Sequence, residues 1–226
     1  MPELSKSEIL SYFDEINYRL TENNQHGEIV LTGGATLTLV FNARSATRDI
    51  DAVFRPVADM RKIISSMATK YNLPLDWLND AVKPFVTDKL TIKPHLEYSN
   101  LTIYSVDAES LLAMKLTSAR FGTKDMDDCV FLMNHLGLQA EKDVFDILDK
   151  YIDPFLRKSG VKHFAAEAYR QYSRKRTRAI VDSKESIAVA KAGTLDEKLA
   201  DAKTKADSHN AKLNKADDIV YNKKDR

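Results

Sequence analysis

The chain has a single cysteine, Cys129, in 226 residues. That excludes a disulfide framework and a cysteine-built zinc site, and it suits a reducing compartment. No apolar run approaches the length of a membrane span. The opening M-P-E-L-S-K-S-E lacks the apolar core of a signal peptide. A soluble, cytoplasmic protein with no membrane partner is the expectation. Charge of one sign is lacking too: 34 Lys and Arg against 33 Asp and Glu leave a formal charge of +1. Affinity for nucleic acid would have to come from a local patch. His26, His95, His135, His163 and His209 are scattered without ligand spacing and are assigned no chemistry. Apolar residues make up 43%, enough for a core, and the length suits one domain with an appendage.

Glycine is scarce, with 7 in the chain, so the adjacent pair Gly33-Gly34 stands out. It follows the short apolar run Glu28–Leu31 and opens an apparent helix over 35–42. Asp49-Ile50-Asp51 comes next, inside an apolar run read as a strand over 49–54. Strand alternation puts Asp49 and Asp51 on one face and Ile50 on the other. Two carboxylates a pleat apart share hard cations such as Mg²⁺. Glycines at a strand-to-helix turn let backbone N–H groups approach phosphates. The alternatives are a solvated edge strand and an ordinary tight turn. Buried aspartates without partners are costly, and Asp is a poor strand former. The metal reading therefore outweighs the bland one. A phosphate cradle beside a carboxylate pair is the minimum equipment for nucleotidyl transfer.

Along the rest of the chain, Ser5 and Glu8 have capping-box spacing, followed by Ile9, Phe13, Ile16 and Leu20 at helical intervals. A helix is expected over 57–71 and a short tryptophan-containing element over 75–85. Strands at 90–98 and 101–106 flank a Ser99-Asn100 turn. Helices follow at 108–119, 125–136 (stopped by Gly137), 140–151 and 161–172. This order predicts an α/β (α+β) fold: a small mixed sheet flanked by helices, with a helical C-terminal half. The division expected is 1–106, 107–178, and a charged helical or disordered tail over 179–226, where Tyr221 is the only aromatic.

With Gly33-Gly34 and Thr47-Arg48-Asp49-Ile50-Asp51, the chain resembles the nucleotidyltransferase superfamily. Three further stretches make it resemble the bacterial DUF6036 family, related to the AbiEii and MenT types of nucleotidyltransferase toxin: Leu75-Asp76-Trp77-Leu78-Asn79-Asp80-Ala81-Val82, Leu111-Leu112-Ala113-Met114-Lys115-Leu116, and Lys124-Asp125-Met126-Asp127-Asp128. The resemblance runs from about Glu28 to about Tyr151 and leaves the tail uncovered. It implies that Gly33 and Gly34, with Thr36, hold the triphosphate of an NTP. It implies that Asp49 and Asp51 bind Mg²⁺ or Mn²⁺, and that Lys115 reaches the phosphates. Asp125 or Asp128 matches the acidic position after that lysine. It also tilts Asn79 and Asp80 towards the nucleotide pocket. A departure concerns the third carboxylate that many superfamily members supply from a later strand: the strands at 90–106 offer only Glu97, and Asp80 and Asp88 lie outside them.

Other residues stay open between two readings. Arg44 and Arg48 are phosphate contacts or surface charge. Lys115, on a nearly all-apolar helix, needs a phosphate or carboxylate partner unless it snorkels; Arg120 would flank the same cleft. Asp125 is a helix cap or a site residue, and Asp128 the better catalytic candidate. Trp77 belongs to the core and Cys129 is a small buried hydrophobe. The stretch Arg170–Arg178 carries five cations without an acid, interleaved with Tyr172. It suits RNA, tRNA included, or an acidic partner. Leu195, Leu199, Ala202 and Ala206 form a thin stripe for a second copy or an antitoxin, unless the tail is solvated. Two function classes follow: an NTP-using toxin that modifies a tRNA 3′ end or a protein hydroxyl, and a degenerate binding module serving as antitoxin or regulatory subunit.

Overall fold

The computed structural model describes residues 3–118, 124–157 and 159–221. The chain falls into two units, Met1–Ser173 and Arg174–Arg226. The first holds a five-stranded mixed sheet. Strands β2 (Gly27–Leu31), β4 (Ile50–Arg55), β5 (Leu78–Asn79), β6 (Ile92–Glu97) and β7 (Leu101–Val106) lie in the order β5-β4-β2-β7-β6. β2 is parallel to β7 and antiparallel to β4. A separate two-stranded ladder pairs β1 (Leu4–Ser5) with β3 (Ala46–Thr47).

Helix α1 (Lys6–Glu22) begins with the Ser5–Glu8 capping box. Its residues Ile9, Phe13, Ile16 and Leu20 are fully buried. With Met60, Ile63, Ile64 and Met67 of α3 (Val57–Tyr71) they cover one sheet face, built from Ile29, Leu31, Ile50, Ala52, Phe54, Leu101 and Ile103. Period-two alternation sends Asp51 and Val53 to the other, more open face. A second core joins α4 (Ala108–Ser118), α5 (Lys124–Leu136), α6 (Glu141–Tyr151) and the start of α7 (Val161–Tyr221), ending at Tyr172. The seven-residue helix α2 (Gly33–Leu39) serves both, with Ala35 and Leu39 in the sheet core and Leu37 in the helical one.

The expected small mixed sheet and helical C-terminal half are present. The differences are local. α2 starts at Gly33 itself and ends at Leu39, and β4 starts at Ile50, leaving Asp49 just ahead of it. The tryptophan-containing element resolves into β5 and a 3-10 turn at Lys83–Phe85. α7 runs on to Tyr221 instead of stopping near 172, because its alanine- and lysine-rich sequence contains no proline. In the second unit Leu199 and Ala202 are exposed; the side chains of Leu195 and Ala206 lie outside the described residues, as does Arg120. Among the described residues no helix is long and apolar enough to cross a membrane.

Candidate active site

Two chain reversals create the first half of the site. β2 ends at Leu31, opposite Ala52 of β4, and the Thr32 N–H and hydroxyl both donate to the Asp51 carbonyl at 2.9 Å. That ties the start of the glycine turn to the strand bearing Asp51. Gly33 then adopts φ +58°, a left-handed conformation that costs a side-chain-bearing residue about 1–2 kcal/mol. A Cβ there would lie 2.7 Å from Asp51 Oδ2, so the Asp51 carboxylate rests directly on Gly33. Gly34 packs in turn on the side chains of Thr47 and Arg44. Two glycines are thus needed because the Asp51 and Thr47 side chains fill the space two Cβ atoms would take.

Asp49 precedes β4, and the Thr47 hydroxyl donates to its carbonyl at 3.2 Å. Burial first, then the charges of Asp51 and Asp76, push the Asp49 carboxyl above its ordinary value; Lys115 and Arg48 pull it down less strongly. This corner has more negative charge than positive. An all-oxygen donor set of two carboxylates fits Mg²⁺, which keeps several waters and takes phosphate oxygens as further ligands. Among the described residues no group of three or more His, Cys, Asp or Glu side chains is arranged to hold a metal.

The second half comes from the helical core. Lys115 Nζ donates to Asp125 Oδ1 at 2.7 Å and lies 3.0 Å from Asp128 Oδ2. The Asp128 Oδ1 atom is bonded by the Arg44 guanidinium. Asp128 is 4% exposed, so this is a part-buried network of two cations and two carboxylates spanning α4, α5 and the loop after α2. Burial alone would lower the Lys115 pKa; Asp128 and Asp125 outweigh it and hold the ammonium above its ordinary value.

The halves meet at a cleft of about 270 Å³. Thr32, Gly33 and Asp51 line it from the sheet side, and Lys115, Thr117, Ser118 and Asp125 from the helical side. Its remaining wall is apolar: Ala81, Val82, Phe85, Leu111, Met114 and Ile152, with Thr87 among them. This is the balance of a small-molecule pocket, apolar walls with few convergent polar groups.

The other sequence candidates take the following places. Gly33, Asp51 and Lys115 line the cleft, whereas Gly34, Asp49 and Asp128 are not among its lining residues. Arg48 is exposed, close enough to Asp49 for its charge to act. Thr36 is fully buried, does not line the cleft, and its hydroxyl has no partner among the described residues. Asn79 and Asp80 are also off the cleft wall. The Asn79 amide closes a local turn, accepting from the Ala81 N–H at 3.1 Å. Asp80 is drawn away by Arg61 at 2.9 Å, and the adjacent Ala81 and Val82 face the cleft instead. Trp77 is core, its indole N–H bonded to the Ile64 carbonyl. Glu97 is excluded as a third carboxylate by register: it pairs with Thr102, which pairs with Glu28. That is three residues, about 10 Å, from the Leu31 end of the sheet. Asp76 is the carboxylate that sequence reasoning missed. It is brought near Asp49 by the β4–β5 pairing and by the Ile50 N–H bonding the Trp77 carbonyl.

A glycine turn packed on a strand aspartate, facing a lysine-bearing helix across a cleft, agrees with the comparison by sequence. A family model described as "Nucleotidyltransferase of unknown function (DUF6036)" matches residues 7–136, more than half of the chain. The chain belongs to the DUF6036 family. The match contains Gly33, Gly34, Asp49, Asp51, Lys115, Asp125 and Asp128, and leaves out β1 and everything from α6 onward. No curated protein and no solved structure matches the chain significantly.

Proposed function

We propose that this DUF6036 protein is a metal-dependent nucleotidyltransferase that moves an NMP group from an NTP to a hydroxyl acceptor. The observation that carries the reading is the convergence of Gly33, Asp51, Lys115 and Asp125 on one cleft. The Gly33-Gly34 turn holds the triphosphate, and the apolar wall near Phe85 takes the base. Asp49 and Asp51 hold Mg²⁺ or Mn²⁺. When bound, the cation neutralises phosphate charge and lowers the pKa of the attacking hydroxyl. The acceptor oxygen bonds to the α-phosphorus, the bond to the β-phosphate oxygen breaks, and pyrophosphate leaves with the hydroxyl proton lost to water. Lys115 balances charge on the departing phosphates.

The resemblance to nucleotidyltransferase toxins supports a finer proposal: the acceptor is a tRNA 3′ end or a protein hydroxyl, and the protein acts beside a separate antitoxin. Arg170–Arg178 is the cationic stretch offered to an RNA backbone. The test incubates the protein with Mg²⁺, each α-³²P-labelled NTP, and RNA or lysate protein. Label in a tRNA-sized band, absent with Asp51→Asn, is the expected result; label in protein shifts the acceptor.

One observation favours the second reading, a binding module without turnover. Lys115 is already satisfied by two carboxylates, and among the described residues no three His, Cys, Asp or Glu side chains are grouped to hold a metal. Nucleotide binding with no label from any NTP would establish that reading.

A further inference from the structure

The segment ahead of α1 lies outside the family match, yet it touches both halves of the site. Leu4 is 4% exposed and belongs to the sheet core. Its backbone pairs with Thr47, and Ser5 pairs with Ala46. Thr47 is the residue whose hydroxyl fixes the Asp49 carbonyl and fills the space beside Gly34. One rung of a two-residue ladder therefore braces the glycine turn and the aspartate loop together. Glu3 reaches the other way, its Oε1 accepting from Lys124 Nζ at 2.9 Å at the first residue of α5, beside Asp125. Lys124, with Arg48 and Arg44 adding less, holds the Glu3 carboxyl below its ordinary value. Just behind the strap, Lys6 Nζ donates to the Leu39 carbonyl at 3.2 Å and to Asn42 Oδ1 at 2.8 Å, tying α1 to the end of α2.

We propose that Glu3–Ser5 is a positioning strap: it acts through Thr47 on Asp49 and Gly34, and through Lys124 on α5, setting the register of the two halves of the site. A two-residue strand has no stability of its own and forms only because Leu4 is anchored in the core. An exposed ion pair such as Glu3–Lys124 is worth little to stability, so its contribution is geometric. A displacement of about 1 Å in reacting groups costs about a hundredfold in rate.

The test compares the intact protein with Glu3→Gln and with a chain lacking residues 1–4, Ser5 following the initiator Met. Amide hydrogen exchange is read over 46–51 and, as control, over β7 and α6. Mn²⁺ affinity is read by titration. The expected result for the truncated chain is exchange at least tenfold faster over 46–51 only, and Mn²⁺ bound several-fold more weakly. Unchanged exchange and Mn²⁺ affinity in a folded truncated chain overturn the strap. So does exchange that rises equally everywhere, which would make the segment an ordinary part of the core. The activity arm rests on the transferase reading: Glu3→Gln should lower kcat several-fold with KM for the NTP unchanged. A kcat equal to that of the intact protein counts against the strap. An intact protein that labels nothing overturns the transferase, while exchange and Mn²⁺ binding still decide the strap.

Discussion

At Gly33 two constraints coincide that are usually separate: a left-handed φ of +58° and a carboxylate 2.7 Å from where a Cβ would stand. Gly137, at φ +64°, has the first constraint but open space around it. The pair makes a controlled comparison. Gly137→Ala should cost about 1–2 kcal/mol from backbone conformation alone, a fall of a few degrees in Tm, and leave transfer intact. Gly33→Ala should cost at least as much stability and also displace Asp51, lowering kcat about a hundredfold. Melting curves and the labelling assay separate the two effects. That Gly33 and Asp51 lie together was legible in the sequence, because glycine is scarce and an acidic residue in an apolar run is costly without a partner. Asp76 was not: nothing near it in sequence says that β5 lies beside β4. Asp80, expected at the nucleotide pocket, is off the cleft wall and pairs with Arg61 of α3, a contact between residues 19 apart that the sequence does not announce.

Elements were legible in proportion to their length and period. α3 and β7 match the expected boundaries because each carries its full hydrophobic pattern. β1 and β3 were invisible: two residues have no period, and only tertiary pairing creates them. The packing of α4 on α6 gives an element-scale prediction. Glu109 at the start of α4 accepts from Lys150 Nζ at 2.8 Å and from the Tyr151 hydroxyl at 2.9 Å. These bonds, Lys150 first, hold its carboxyl below the ordinary value of 4.5. A folded pKa below the unfolded one stabilises above the unfolded value and loses that contribution as pH falls through the folded value. Glu109→Gln should therefore lower Tm by about 1–3 °C at pH 7, as suits a part-exposed pair. The gap should narrow as pH falls below the ordinary value of 4.5. A gap independent of pH would mean that shape and hydrogen bonding, not charge, join the helices there.

Across residues 1–173 two apolar cores meet at α2, and the ion network from Arg44 through Asp128 to Lys115 crosses the same junction. The sequence announced that Lys115 needed a partner, because its helix is otherwise apolar. It could not announce Arg44, which lies 84 residues from Asp128. The network links cleft-lining groups from separate cores: Asp128 binds a cation from each side. Removing it strands the part-buried Arg44 guanidinium and leaves Lys115 with Asp125 alone, a loss of about 3–5 kcal/mol for a buried pair. Asp128→Ala should lower Tm by about 6–20 °C, taking about 2–4 °C per kcal/mol for a domain of this size. Replacing both ends of the outer pair by apolar residues, Arg44→Met with Asp128→Leu, removes the stranded guanidinium while Lys115 keeps Asp125 at 2.7 Å. Such swaps are often neutral for stability. The double variant should therefore recover most of the lost Tm without recovering transfer, because Lys115 is then held from one side only. Recovery of both would show that the network serves folding alone, and that the cores need no ionic tie to align the cleft.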